Sequence, residues 1–221
     1  MAEETLHARR VEFNEKRIAR TLDNYLAVLV LMVITIFSTA LMEPGSIWSF
    51  IPILLQVFVM TITLRASGVR PVRLVAAGSI ALAAMAIIFV AFFLGRADVA
   101  AWTYYLLMLC LGFGAIGAIL TRLTHQSRVD IKTVLGALCT YLLIGLLFAT
   151  IYGLLQLIEG VFFSNGEIGR QVDFIYFSFI TLTTVGYGDF TPGADLGRMI
   201  AISEALLGQF YLVTVVSLIV A

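Results

Sequence analysis

The chain of 221 residues has little of what soluble chemistry usually needs. It carries two cysteines and two histidines, and only 13% of its residues are charged. Soluble domains run near about 25% charged, so an ordinary solvated surface is excluded. Cys110 and Cys139 each sit inside an apolar run, so they read as small buried hydrophobes and not as a disulfide or a metal site. His7 and His125 lie in charged segments outside those runs. No Cys-His, Ser-His or paired-carboxylate arrangement lies within reach, so no enzyme is expected. There is no N-x-[ST] acceptor, and the first 23 residues are charged, which does not read as a cleavable signal peptide. Fourteen basic and fourteen acidic residues cancel, so total charge points to no partner, and no nucleic acid is expected.

What the chain does have is apolar length. Hydrophobic residues make up 61% of it, and the mean hydropathy of +1.01 is that of an integral membrane protein. A hydrocarbon core about 30 Å thick needs about 20 apolar residues in a helix. Six stretches qualify, near residues 25–42, 47–64, 74–94, 100–120, 134–158 and 196–221. The second is short and contains Pro52. A seventh apolar piece, 174–184, is too short to span and reads as re-entrant. The expected fold is therefore an all-α membrane protein of six spans with one re-entrant helix.

The basic residues set its orientation. Arg9, Arg10, Lys16, Arg17, Arg20, Arg65, Arg70, Arg73, Arg122, Arg128 and Lys132 fall on one side, eleven of the fourteen. Arg96, Arg170 and Arg198 fall on the other. The first side should be cytoplasmic, with both termini there, in the cell (plasma) inner membrane. Residues 1–23, with Val11, Ile18 and Leu22 among the bases, read as an amphipathic segment on the inner leaflet or a solvated extension of the first span. Residues 24–125 form a four-span part, 126–133 a cytosolic linker and 134–221 a second part.

That second part holds the stretch FSFITLTTVGYGDFTP, Phe177 to Pro192. Irregular backbone at membrane depth is tolerated only where it is buried or lines a watery cavity. Alternate glycines permit positive φ without a Cβ clash. Backbone of alternating hand can aim successive carbonyls one way. Thr184, Val185, Gly186 and Tyr187 would then offer stacked oxygens, with the Thr184 hydroxyl lowest. The rival GFGAIG, Gly112 to Gly117, fits a dinucleotide fingerprint in letters only. It lies within a span without a preceding strand, and small residues for close helix packing explain it better.

TLTTVGYGD, Thr181 to Asp189, resembles the selectivity-filter signature of potassium channels, in the order span, short apolar helix, filter, span. The whole chain looks like a bacterial six-span potassium channel. That resemblance implies a homotetramer with three identical subunits, each giving one quarter of the filter. Stacked carbonyls would replace the water shell of potassium ions at Thr184, Val185, Gly186 and Tyr187, with Gly188 closing the motif. Potassium ions would be the only bound group, with no organic cofactor. Thr181, Thr183, Asp189 and Tyr176 would support the filter, and Gly208, in the last span, would be a hinge. Phe174–Thr184 would be a pore helix whose C-terminus, carrying about half a negative charge, faces the cavity. Tyr176 and Phe177 would pack around Tyr187.

Glu204 lies inside the last span, and an intramembrane carboxylate is by default functional. It either hydrogen-bonds the pore helix from behind the filter or faces the cavity; the first reading is preferred. Some potassium channels carry a supporting carboxylate in the pore helix, where this chain has Ile180, and Glu204 could replace it. The outer mouth carries Glu159, Glu167, Asp173, Asp189 and Asp195 against Arg170 and Arg198, five minus two, three net negative charges.

Voltage-gated relatives carry arginines at every third position of the fourth span. Residues 100–120 contain no basic residue, and Arg122 stands alone at their inner end. No conventional voltage sensor is expected. Leu218, Ile219 or Ala221 would lie at the inner constriction. A cytosolic regulatory partner or a further C-terminal domain is compatible with the resemblance. The rival readings are a weakly selective cation channel, which Tyr187 argues against, and the membrane subunit of a potassium uptake system, which usually holds four filter repeats in one chain.

Overall fold

The computed structural model describes residues 25–41, 50–67, 69, 71–124 and 131–220. The amphipathic segment expected at 1–23, Ala221 and most of the linker at 126–133 lie outside them. The described residues form seven helices: α1 (Tyr25–Leu41), α2 (Phe50–Ala66), α3 (Pro71–Phe93), α4 (Ala97–Thr124), α5 (Ile131–Glu159), α6 (Gln171–Leu182) and α7 (Asp195–Val220). Helices are what such sequences must form, because in lipid every backbone polar group has to be satisfied within the segment. The chain is a multi-pass membrane protein. Four helices, α3, α4, α5 and α7, are long and apolar enough to cross a membrane, while α1, α2 and α6 are apolar but shorter.

Several boundaries differ from expectation for local reasons. Pro52 is the third residue of α2, where a missing N–H costs no intrahelical bond. Pro71 opens α3, three residues before the expected start. α3 stops where Gly95, at φ +68°, donates to the Phe92 carbonyl while Arg96 N–H reaches Ala91. This paired closure uses a left-handed glycine to satisfy the last carbonyls, and α4 follows after three residues.

The N-terminal helices and the beginning of α5 share one apolar cluster, which includes Met32, Met60, Met108, Ile119 and Leu143. A second, aromatic cluster joins α5, the loop after it and α6 through Tyr152, Phe162, Phe163, Phe174 and Phe177. α5 contributes to both and is the central post: 61% of its spanning stretch is buried, against 22% for α3 and 11% for α7. One cavity of about 470 Å³ touches Thr39, Phe50, Phe92, Ala100, Tyr105 and Gln171. The end of α1, the start of α2, the end of α3, the start of α4 and the start of α6 therefore share one end of the bundle.

Candidate functional site

The site is built on the end of α6. The helix starts at Gln171, earlier than expected, because Asp173 caps it: Arg170 N–H donates to Asp173 Oδ2 at 2.8 Å, and the Arg170 guanidinium pairs with the same carboxylate. It ends at Leu182, two residues short of the expected 184, because Thr184 takes φ +60° and a right-handed helix cannot continue through it. Thr184 is the one non-glycine with positive φ among the described residues. A β-branched residue there is a genuine outlier, of a kind that costs about 1–3 kcal/mol and gathers at functional sites. Gly186 and Gly188 follow at φ +50° and +78°. Every second residue of Thr184–Gly188 is thus left-handed.

The loop is tied back to its own helix. Val185 and Gly186 N–H both donate to the Ile180 carbonyl, at 2.9 and 3.0 Å, and Thr184 N–H donates to Thr181 O at 3.0 Å. Thr183 closes the helix through its N–H and its hydroxyl, both donating to Phe179 O. Tyr176 Oη donates to Asp189 Oδ2 at 2.7 Å and clamps the far end of the loop to α6. Residues 183–189 are all exposed, and Tyr187 is 73% exposed.

One expectation is corrected. Phe177 does not join Tyr176 around Tyr187; it is buried against Tyr152, Phe162 and Phe163. Its position on α6 turns it toward α5, one residue round from Tyr176, which instead packs edge-on against Phe190.

Glu204 is fully buried on α7. Tyr152 Oη of α5 donates to its Oε2 at 2.5 Å, and Ser178 Oγ of α6 lies 2.5 Å from its Oε1. The carboxyl therefore joins three helices behind the loop. Gly208, one helical turn on, meets the end of α6: an added Cβ would stand 2.8 Å from the Leu182 carbonyl oxygen. α7 runs through Gly208 unbroken, and this close approach accounts for its small size.

The residues that the sequence reading missed are the partners of these groups. Tyr141 Oη donates to Leu182 O at 3.1 Å, Tyr211 Oη to Ala137 O at 2.7 Å, and the two rings stack. Gln156 holds Gly169 by both backbone groups, at 2.9 and 2.7 Å. Their signal was visible. Tyr141, Tyr152 and Gln156 are polar-tipped residues in an apolar helix, eleven and fifteen positions apart, so they share one face.

The outer segments pair with each other. Ser164 N–H donates to Thr191 O and Gly193 N–H to Phe162 O, at 2.8 and 2.9 Å. Arg170 pairs with Asp173, and Arg198 with Asp195. Glu159, Glu167 and Asp189 are exposed and make no ion pair with these arginines.

A short apolar helix, a strained loop of alternating hand and a following helix long enough to span a membrane thus lie in succession along the chain. Residues 136–221 match the family described as an ion channel, one of channels and not of enzymes. Among the proteins it resembles are potassium channels. Protein LctB of Bacillus caldotenax is 39% identical over 92 residues, 38% of this chain and 66% of that protein. The human potassium voltage-gated channel subfamily KQT member 4 is 47% identical over 45 residues, 20% of this chain and 6% of that protein. The hyperpolarization-activated voltage-gated potassium channel of Methanocaldococcus jannaschii is 48% identical over 42 residues, 19% of this chain and 20% of that one. The chain thus spans less than two thirds of the length of each of these relatives. No solved structure matches it.

Proposed function

We propose that the protein is a potassium-selective channel that conducts passively down the electrochemical gradient. The observation that carries this reading is the left-handed backbone at Thr184, Gly186 and Gly188, in a TVGYG loop directly after α6. Each subunit supplies one quarter of the filter. Four copies around an axis ring the ion with the carbonyls of Thr184, Val185, Gly186 and Tyr187. The exposed loop, and the exposed stripe of Met199, Ile202, Leu206, Phe210 and Val213 on α7, are what a subunit open toward that axis would present. α1 to α5 and α7 make six spans in the inner membrane, with both termini cytoplasmic.

Thr181, Thr183, Tyr176, Asp189 and Glu204 position the filter, and Gly208 is the point at which the unbroken α7 hinges during gating. Glu159, Glu167 and Asp189 raise the cation concentration at the entrance. α4 carries no basic residue between Ala97 and Leu120, so the channel has no conventional voltage sensor. The test is the reversal potential of the purified protein in a planar bilayer, with potassium on one side and sodium on the other. A value near the potassium limit is expected. Open current that reverses near zero would replace this reading with a weakly selective cation channel.

A further inference from the structure

The cluster behind the filter contains more acceptor oxygens than its hydroxyl protons can serve. Ser178 Oγ lies 2.5 Å from Glu204 Oε1 and 2.7 Å from the Gly145 carbonyl oxygen. Oxygens that close need a hydrogen between them. Serine has one, and a backbone carbonyl has none. The Tyr152 proton is already committed to Oε2. An ionised Glu204 would leave one of the two serine contacts as bare oxygen against oxygen.

We infer that Glu204 is held as a neutral carboxylic acid whose proton fastens α7 to α6 behind the loop. The protons then balance: Tyr152 Oη–H donates to Glu204 Oε2, Glu204 Oε1–H to Ser178 Oγ, and Ser178 Oγ–H to Gly145 O. Every hydrogen is used once, and among the described residues no buried side-chain polar atom is left without a partner.

The surroundings agree. Gly145 brings α5 close because it has no side chain: an added Cβ would lie 2.9 Å from the Phe179 ring. The titratable groups facing the carboxyl are Tyr152 and, further away, Tyr141, both on α5. α6 offers Ser178. The ion pairs of the described residues, Arg96–Asp98, Arg170–Asp173 and Arg198–Asp195, all lie elsewhere, so among the described residues no ion pair steadies a buried negative charge at Glu204.

Glu204 is on this account a positioning residue, and its role in holding the filter rests on the reading of Thr184–Gly188 as that filter. A neutral buried acid holds its contacts at low and neutral pH and loses them as pH rises through its folded-state pKa. The full chain in lipid nanodiscs tests both parts. Infrared difference spectra at neutral pH should contain a protonated-carboxyl C=O band that is missing in Glu204→Gln and shifted in Ser178→Ala. No such band in the wild type, or one that survives Glu204→Gln, overturns the inference.

In the same samples, stabilisation by potassium over sodium should fade for the wild type at alkaline pH and persist in Glu204→Gln, whose amide can make the same bonds. If both behave alike, the positioning role is overturned. If potassium stabilises neither at any pH while the infrared band is present, it is the filter reading that fails, and the neutral acid stands.

Discussion

The two halves of the molecule are held together differently. In residues 25–124 the hydroxyls mostly turn back on their own helices: Thr35, Thr61, Thr63, Ser79 and Thr103 each donate to a carbonyl three or four residues earlier. One side-chain pair within this half, Tyr104 Oη to Gln56 Oε1 at 2.9 Å, joins different helices. In residues 131–220 Thr140, Thr150 and Ser203 turn back in the same way, but other polar groups reach across helices, from Tyr141 to Leu182, Tyr152 to Glu204, Ser178 to Gly145 and Tyr211 to Ala137. Shape packing alone allows neighbouring solutions at similar energy. Directional bonds between specific atoms select one. A strained loop needs the second kind of support, because Thr184 stays left-handed only if its surroundings over-determine it.

The largest effect should come from breaking the loop itself. Gly186→Ala puts a side chain at φ +50°, and its conformational cost of about 1–2 kcal/mol, added to that of Thr184, should abolish potassium selectivity and potassium-dependent thermal stabilisation together. Gly208→Val comes next. Its Cβ would collide with the Leu182 carbonyl, and overpacking of this kind costs about 1–3 kcal/mol. A lower Tm of the assembled protein and reduced open current are expected, with Gly208→Ala milder.

A pair of tyrosine substitutions sharpens the contrast. Tyr152→Phe strips a partner from buried Glu204 and should cost about 1–3 kcal/mol, with a measurable change in the reversal potential. Tyr104→Phe leaves Gln56 with an unserved acceptor at a cost of about 1 kcal/mol and should leave the reversal potential where it was. If Tyr104→Phe altered selectivity as much as Tyr152→Phe, the division between the two halves would be wrong. The smallest effect belongs to Thr103→Val, which removes a bond within α4 alone. A change within about 0.5 kcal/mol is expected by thermal unfolding. Gating-current recordings on the wild type should find no charge movement of several charges per subunit, since α4 has no basic residue in its core.

Much of this was readable in the primary structure, for a physical reason. Length and apolarity announce helices in lipid, and TVGYGD between two apolar runs announces its loop, because glycines at alternate places permit an alternating backbone. Where α6 ends was not readable: threonine is a poor signal for left-handed backbone, and the helix was expected to run to Thr184. Nor was the direction of Phe177, since an aromatic residue on a buried helix has several faces to choose from and only the packing of α5 decides.

By itself the sequence determined that the chain is helical and membrane-embedded, and that its loop of alternating glycines follows a short helix. Those properties follow from local composition and from the cost of unpaired backbone in hydrocarbon. Only the tertiary structure decided that Glu204 meets Tyr152 and Ser178, that Gly208 lies under Leu182 and that Gln156 holds Gly169. Such partners are 52, 26 and 13 residues apart or lie on different helices. Helical periodicity puts a residue on a face, but only the packing of whole helices decides which atom it finds there.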